Sequence, residues 1–262
     1  MNQIDNRAII EQGAVIGENC IIEPNVFIGK NVRIGNNVKI MANAYIAGNT
    51  TIGDNCSIFP SAVIGTVTQA LNFKGGDSGV IIGNNNTIRE FATINATEGG
   101  EENYTKLGNN NLIMAYTHVA HHCILGNRVI LSNAVNLAGH VTLGDNVIIG
   151  GLAALHQFVK VGKFTIIGGK SKVVKDVPPY LKVDGNPARV IGLNTVAFQR
   201  NNFSAEKKQT IKNIFRELYR KGKNVSQAIS VIEAFNNEVS EEYIQFIKQA
   251  DRGILLKTSA FD

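Results

Sequence analysis

From Ile10 onward a large aliphatic residue recurs at every sixth position: Ile16, Ile22, Ile28, Ile34, Ile40, Ile46, Ile52, Ile58 and Ile64. Neither a helix, with its 3.6-residue period, nor an alternating strand, with period 2, generates that spacing. A fixed period of six belongs to a parallel β-helix, in which each unit is one short strand and a turn. Two residues before each aliphatic sits a small or β-branched residue (Ala14, Cys20, Val26, Val32, Val38, Ala44, Thr50, Cys56, Ala62), and Gly often follows it, as at Gly17, Gly29, Gly35, Gly53 and Gly65. The pattern predicts that the aliphatic residue points inward and the small one fills the corner, with Gly or Asn left-handed at the turn. Three units then close one triangular coil of about 18 residues.

The register breaks twice. Residues 66–79, between Ile64 and Ile82, lack inward aliphatics; after Ile82, Ile88 and Ile94 a second polar segment intervenes at 95–106. From Leu107 the pattern runs on through Ile113, Val119, Leu125, Leu131, Leu137, Leu143, Ile149, Leu155, Val161, Ile167 and Val173. Loops that leave a rigid scaffold are where binding residues concentrate. Asp176-Val177-Pro178-Pro179 is expected to end the solenoid, because proline removes donors from a strand ladder. An irregular connector, 180–199, then leads to helical periodicity. Ser204 reads as the N-cap of a helix with Ile211, Ile214, Phe215 and Leu218 on one face, ending near Gly222; Ser226 and Ser240 read as caps of two more. The expected fold is mainly β: a parallel β-helix over residues 1–179 with excursions at 66–79 and 95–106. A connector and α-helical domain over 180–262 would cover the open end of the solenoid.

Composition changes this picture little. A chain of 262 residues with net charge +5 has no basic run of the kind that binds nucleic acid. It has no signal-like start and no apolar run long enough to span a membrane, so a cytoplasmic protein is expected. Cys20, Cys56 and Cys123 all fall in the small-residue slot and read as core packing, not as a disulfide or zinc framework.

The histidines change it more. All five, His118, His121, His122, His140 and His156, fall within one segment, which the repeat alone does not explain. With about 18 residues per coil, His122 stacks beneath His140, and His121 beneath Gly139 and then Gln157. None takes the inward slot, so His118, His121 and His140 border one shallow site on the outside. Three readings stand: solvated surface histidines, metal ligands, or a general acid–base group that titrates near neutrality. The three-residue spacing of His118 and His121 suits metal ligation on a helix but not on a strand. No carboxylate completes the set, so no metal is expected.

Taken together, His118-Val119-Ala120-His121-His122-Cys123, Leu137-Ala138-Gly139-His140, His156-Gln157-Phe158, Asp176-Val177-Pro178-Pro179-Tyr180 and Asp251-Arg252-Gly253 resemble the UDP-N-acetylglucosamine acyltransferases that begin lipid A synthesis. The resemblance covers nearly the whole chain. It implies a left-handed parallel β-helix (a hexapeptide-repeat solenoid) with a C-terminal α-helical domain, assembled as a homotrimer with active sites between neighbouring subunits. It also implies an R-3-hydroxyacyl donor, held as the phosphopantetheine thioester of acyl carrier protein, no other cofactor, and transfer to the 3-position of the nucleotide sugar. On this resemblance His121 is the general base and Gly139 lends its N–H to the thioester oxyanion. His118 and His140 line the sugar and diphosphate site, His156 and Gln157 contact nucleotide or acyl chain, and Asn194 and Arg200 bind nucleotide and carrier phosphates. Gly169 falls where the family gauges acyl length.

Two departures bear on the acceptor. The family usually reads Gln-Asp-Leu-Lys in the first excursion; here it is Gln69-Ala70-Leu71-Asn72, with Lys74 two residues on. The family usually has Asp after the base, where this chain has His122. Loss of carboxylates lowers the pKa of a neighbouring imidazole and weakens it as a base. An amine acceptor needs that base less. N-acyl transfer from acyl carrier protein or coenzyme A to a nucleotide-linked amino sugar is therefore the alternative to ordinary membership, in which Gln69 and water compensate. A silent binding scaffold and a zinc-dependent, carbonic-anhydrase-like enzyme are the readings from other classes.

Overall fold

Two-residue strands such as Phe27–Ile28, Arg33–Ile34 and Lys39–Ile40 follow one another at six-residue intervals, each separated by a sharp corner. Alternation sends the second residue of each strand inward, so Ile28, Ile40, Ile46, Ile58 and Ile64 are fully buried while Ile9 and Val15 face outward. The computed structural model describes residues 1–71 and 73–258; Asn72, quoted above for the first excursion, lies outside them.

Among the described residues the strands form three faces of eleven, nine and nine strands, parallel except for the last strand of the first face. The first face begins at Gln3–Ile4, the second at Ile9–Ile10 and the third at Val15–Ile16. Each strand pairs with the same position of the next coil, as in Ile22 on Ile40 and His118 on Asn136. The result is a left-handed parallel β-helix with a C-terminal helical part. Cys20, Cys56 and Cys123 are buried in the corner slot, and burial pushes the Cys123 thiol up to about 12, which leaves it unreactive at neutral pH.

The corners divide labour differently from the sequence expectation. On the corner between the third and first faces left-handed backbone falls mostly on Asn, at Asn19, Asn37, Asn55, Asn85, Asn110 and Asn146, whereas on the other corners it also falls on residues such as Ser61, Ala134 and Lys170. The glycines after the aliphatics answer a different need, because they sit where successive coils come closest. A Cβ on Gly17 would lie 2.6 Å from the Gly35 carbonyl, and one on Gly108 would lie 2.7 Å from the Gly126 carbonyl. Beside them runs a ladder of side-chain caps. The backbone N–H groups of Asn36, Asp54, Asn84, Asn109 and Asn127 donate to Asp54, Asn84, Asn109, Asn127 and Asp145 respectively, at 2.7–2.8 Å.

Both excursions leave from one corner. The first connects the second-face strand Val63–Thr66 to the third-face strand Ser78–Ile82; the second connects Thr93–Asn95 to Thr105–Leu107. His121 and His122 occupy that same corner one coil later, between His118–Val119 and Ile124–Leu125.

The prolines do not end the sheet, and the connector is not irregular. Leu181–Asp184 pairs in parallel with Ile166–Ile167, and Arg189–Leu193 folds back antiparallel on it. Pro178 and Pro179 occupy the corner before the strand, where no ladder donor is needed, and Leu181 and Val183 continue the inward pattern. Four helices follow: α1 (Thr195–Arg200), α2 (Ala205–Tyr219), α3 (Val225–Glu233) and α4 (Glu238–Lys248). Ser204 caps α2, and Ile211, Ile214, Phe215 and Leu218 are buried. Ser226 and Ser240 are not caps. Asn224 and Asn237 take that role, and Ser240 closes a capping box with Asn237, because its hydroxyl accepts from the Asn237 N–H three residues back. The helical core is tied to the last coil through buried Tyr180, and Tyr243 donates to the Pro179 carbonyl at 2.8 Å. The motifs around Asp176 and Arg252 serve the same junction. Asp176 accepts from the Lys160 N–H at 2.8 Å, and Arg252 Nε donates to the Val174 carbonyl at 2.9 Å.

Ile58→Ala empties a fully buried slot and is expected to lower unfolding stability by about 2–5 kcal/mol. Ile9→Ala, on an outward position 61% exposed, is expected to change it by less than about 1 kcal/mol. Denaturant midpoints of the two variants check the assignment of faces.

Candidate active site

The corner between the second and third faces carries aromatic rings one above another. His122, His140 and Phe158 each adopt a left-handed backbone, with φ of 59°, 61° and 69°. That conformation is costly for a residue with a Cβ and turns its side chain outward along the corner. The rings stack: His122 on His140 at 4.2 Å between centroids and 10° between planes, and His140 on Phe158 at 4.6 Å and 26°. The six-residue repeat thus presents three rings as one edge.

His121 stands one residue earlier and crosses that edge. Its ring is nearly perpendicular to His122 (83°) and to His140 (88°). It sits against Gly139, where a Cβ would come within 2.6 Å of its Cε1 and 2.7 Å of its Nε2. Glycine is what gives the ring its place. Gly139 is buried, and its N–H donates to no protein acceptor among the described residues. His121 Nδ1 lies 2.8 Å from His122 Nδ1, so one imidazole donates and the other accepts. Thr97 Oγ1 lies 2.6 Å from Nδ1 and 2.7 Å from Nε2 of His122. His118, on the adjoining strand, is held through Nδ1 by Thr93 Oγ1 at 2.7 Å.

The electrostatics favour neutral rings. Burial, and then the charge of His121, lowers the pKa of His118 and of His122. His140 is lowered to about 4, by burial first and then by the charges of His122 and His121. Imidazoles this close cannot all carry protons.

As a metal site the cluster differs from the pair that the sequence singled out. His121, His122 and His140 bring ring nitrogens within 4.8 Å of one another, and His118 is not among them. The rings of His122 and His140 are parallel, however, so an ion in the plane of one lies about a stacking distance out of the plane of the other. In-plane coordination of a single ion by all three requires one ring to leave the stack.

The remaining candidates are dispersed over one chain. His156 is exposed and lies 3.1 Å from the Gln157 carbonyl. Gln157 continues the column of His121 and Gly139 one coil on, as its position in the repeat requires. Gln69 and Lys74 are exposed on the first excursion. Asn194 is buried and largely committed to structure: its side chain caps α1 by accepting from Ala197 N–H at 3.2 Å and donates to the Phe164 carbonyl at 2.8 Å. With Arg200 it lines a cavity of about 470 Å³ on the first face, beside Ile130, Ile148 and Ile166, and no histidine lines that cavity. Gly169 is on the corner between the first and second faces, with its Cβ position 3.1 Å from the Gly151 carbonyl. One chain therefore does not bring Asn194, Arg200 and Gly169 to the histidine corner.

Three residues that the sequence left without a role belong to the site: Thr93, Thr97 and Phe158. Phe158 follows His140 by one coil and was accessible to the period. The threonines were hidden because the second excursion shifts the register, so that Thr93 pairs with His118.

Among the described residues no helix is long and apolar enough to cross a membrane. The sequence profile described as UDP-N-acetylglucosamine O-acyltransferase, domain 2, matches residues 176–255, and that of the bacterial transferase hexapeptide matches 1–30, 31–66 and 104–139. The chain is 51% identical over 197 residues to the acyl-acyl-carrier-protein–UDP-N-acetylglucosamine O-acyltransferase of Rippkaea orientalis, covering 75% of this chain and 71% of that protein. It superposes on the UDP-N-acetylglucosamine acyltransferase of Francisella novicida with a TM-score of 0.94 at 39% identity, over 97% of this chain and 94% of that one. For the Campylobacter jejuni acyltransferase the values are 0.90, 40%, 97% and 99%.

Because His140 takes up its proton only near pH 4 in the native state, the unfolded chain binds more protons between about pH 6.5 and about pH 4, and stability falls as pH falls through that window. His140→Gln is expected to shrink the fall in thermal midpoint across that window. An equal fall in variant and parent contradicts the assignment.

Proposed function

The chain belongs to the UDP-N-acetylglucosamine O-acyltransferase family, and from that premise we propose that it moves an R-3-hydroxyacyl group from acyl carrier protein to the 3-hydroxyl of UDP-N-acetylglucosamine, the first step of lipid A biosynthesis. It is an acyltransferase. The observation that carries the assignment of roles is the placement of His121 over Gly139, with one ring nitrogen engaged by His122 and the other beside the Gly139 backbone.

In this reading the acceptor hydroxyl approaches His121 Nε2, which removes its proton as the oxygen attacks the thioester carbonyl. The carbonyl oxygen becomes an oxyanion, for which the Gly139 N–H is the donor. Collapse breaks the carbon–sulfur bond, and the proton on His121 returns to the departing phosphopantetheine thiolate. His118 and His140, held neutral by burial and by their neighbours, are suited to hydrogen-bonding the sugar and diphosphate without repelling them. Gln69, His156 and Gln157 lie around the margin, and His122 adjoins the base.

The relatives favour the hydroxyl over the amine acceptor. The hydrogen bond between His121 and His122 also answers the physical objection to it, since His121 keeps an orienting partner at the position where the family usually has Asp. Asn194, Arg200 and Gly169 reach the site in this reading from a second copy of the chain, so that a homotrimer is the working unit. The first-face cavity of one subunit would sit against the histidine corner of the next.

His121→Ala is expected to lower kcat at least about a hundredfold with UDP-N-acetylglucosamine and hydroxyacyl carrier protein, and an unchanged rate rejects the base assignment. Gly139→Ala is expected to cost about tenfold or more while leaving the fold intact, because the new methyl meets the His121 ring. Mixed trimers refolded from His121→Ala and Arg200→Ala chains are expected to regain part of the activity that each variant lacks. No regain places both residues in a single subunit's site.

A further inference from the structure

The histidine corner holds more imidazole nitrogens than the transfer of one proton requires. His121, His122 and His140 each bring a ring nitrogen within 4.8 Å of the others, and all three are half-buried, so the cluster is open to solvent. The closest pair, Nδ1 of His121 and Nδ1 of His122, stands at 2.8 Å. Two nitrogens on one tetrahedral zinc ion lie about 3.3 Å apart, so this pair has to open by only about half an ångström. His122 occupies the position where the family usually has Asp, so this set of three imidazoles is not the family's usual one.

The obstacle is the stack. His122 and His140 lie parallel at 4.2 Å, and one ring has to turn before both point at one ion. His140 is the ring placed to do so. His122 is fixed at its backbone, where its N–H donates to Thr105 Oγ1 at 3.1 Å, and Thr97 Oγ1 lies within 2.7 Å of both its ring nitrogens. His140 is held through ring contacts with His121, His122 and Phe158, and among the described residues no hydrogen bond reaches its ring. Turning it about the Cβ–Cγ bond gives up stacking and breaks no hydrogen bond.

We propose that His121, His122 and His140 form a binding site for a single zinc-type divalent ion, and that the bound ion switches the enzyme off. The switching rests on the acyl-transfer reading above; the binding stands without it. Three neutral imidazole nitrogens suit Zn2+, Co2+, Ni2+ and Cu2+, and with no carboxylate oxygen among them they do not suit Mg2+ or Ca2+. The fourth position of the tetrahedron is left to water.

Inhibition follows from a count of lone pairs. A neutral imidazole has a lone pair on one ring nitrogen and a proton on the other. As a base, His121 uses that lone pair to take the proton of the acceptor hydroxyl. As a ligand it gives the same lone pair to the metal, and its remaining nitrogen keeps the proton. Whichever nitrogen faces the ion, none is left to accept a proton from substrate. The ion also holds His140 away from the position in which it would meet the sugar and diphosphate. Removing the ion restores both residues, so the inhibition is reversible.

The first test needs no turnover. Intact, untagged, metal-stripped protein titrated calorimetrically with Zn2+ is expected to bind one ion per chain at these residues. His140→Phe and His122→Phe keep a ring on a corner that already accepts one in the left-handed conformation at Phe158. Each is expected to weaken zinc binding by at least about tenfold, the cost of losing even a residue that only supports a ligand. His122→Asn, which introduces a residue that is left-handed at Asn37 and Asn55, is expected to show the same loss where the larger ring disturbs the fold. His156→Phe, outside the cluster, is expected to leave the affinity unchanged. Absence of a one-per-chain site, an affinity unaltered by the cluster substitutions, or an equal loss in His156→Phe overturns the site.

The second test is the rate of acyl transfer to UDP-N-acetylglucosamine. Zn2+ at concentrations that fill the site is expected to lower kcat at least about tenfold, a chelator to restore it, and Mg2+ to have no effect. In His140→Phe, whatever its own basal rate, the zinc concentration for half inhibition is expected to rise in step with the loss of affinity. Zinc that fills the site without slowing the reaction overturns the switch. A metal-free parent that fails to turn over UDP-N-acetylglucosamine overturns the functional reading, and the titration alone then decides the site.

Discussion

Each backbone N–H in a coil must find a carbonyl in the next coil, and that requirement governs the whole molecule. Strands of two residues have no other way to satisfy their donors. The coils must therefore superimpose, which forces every position to stand over its equivalent, as Ile40 stands between Ile22 and Ile58. Large residues fill the inside, glycine stands where coils touch, and asparagine turns most of the corners between the third and first faces. Because the pairing runs between neighbouring coils, a residue inserted within a strand would misalign everything after it. Additions are admissible only at corners.

The active corner follows from that rule. Both excursions leave between the second and third faces and return in register, so Thr50 still pairs with Val80 and Val80 with Thr105. The segment between departure and return is free of the repeat and brings Thr97 against His122. The repeat itself stacks His122, His140 and Phe158, and a missing side chain at Gly139 lets His121 cross the stack. A periodic scaffold supplies one half of the site, and a departure from periodicity supplies the other.

This division also explains what was legible in the sequence. The period of six gave the β-helix, the buried slot of the three cysteines and the superposition of His122 on His140, because one-dimensional spacing maps directly onto the coil. It also placed Gly139 against His121. It gave nothing for Thr97, whose register is reset inside an excursion, or for the strands after the prolines, where Leu181 and Val183 carry too short a pattern to stand out. The helix caps were misread because serine and asparagine compete for that position; Asn224 and Asn237 precede the serines by two and three residues. Asn194 and Arg200 could not be connected to the histidines by any spacing, since they line a cavity on another face of the coil.

The same stacking bears on what an imidazole does in place of a carboxylate. A carboxylate beside the base raises its pKa and strengthens it, but it also sets a full negative charge next to a site that must accept a diphosphate. The rings of His118, His122 and His140 are held neutral by burial and by the charge of His121, to which His122 adds at His140. The orientation of the base then rests on its contact with His122, whose Nδ1 lies 2.8 Å from His121 Nδ1. The second excursion is the part of the fold that holds that neighbour in place, since Thr105 Oγ1 accepts from the His122 N–H at 3.1 Å and the Thr105 hydroxyl donates to the Asn95 carbonyl at 2.8 Å.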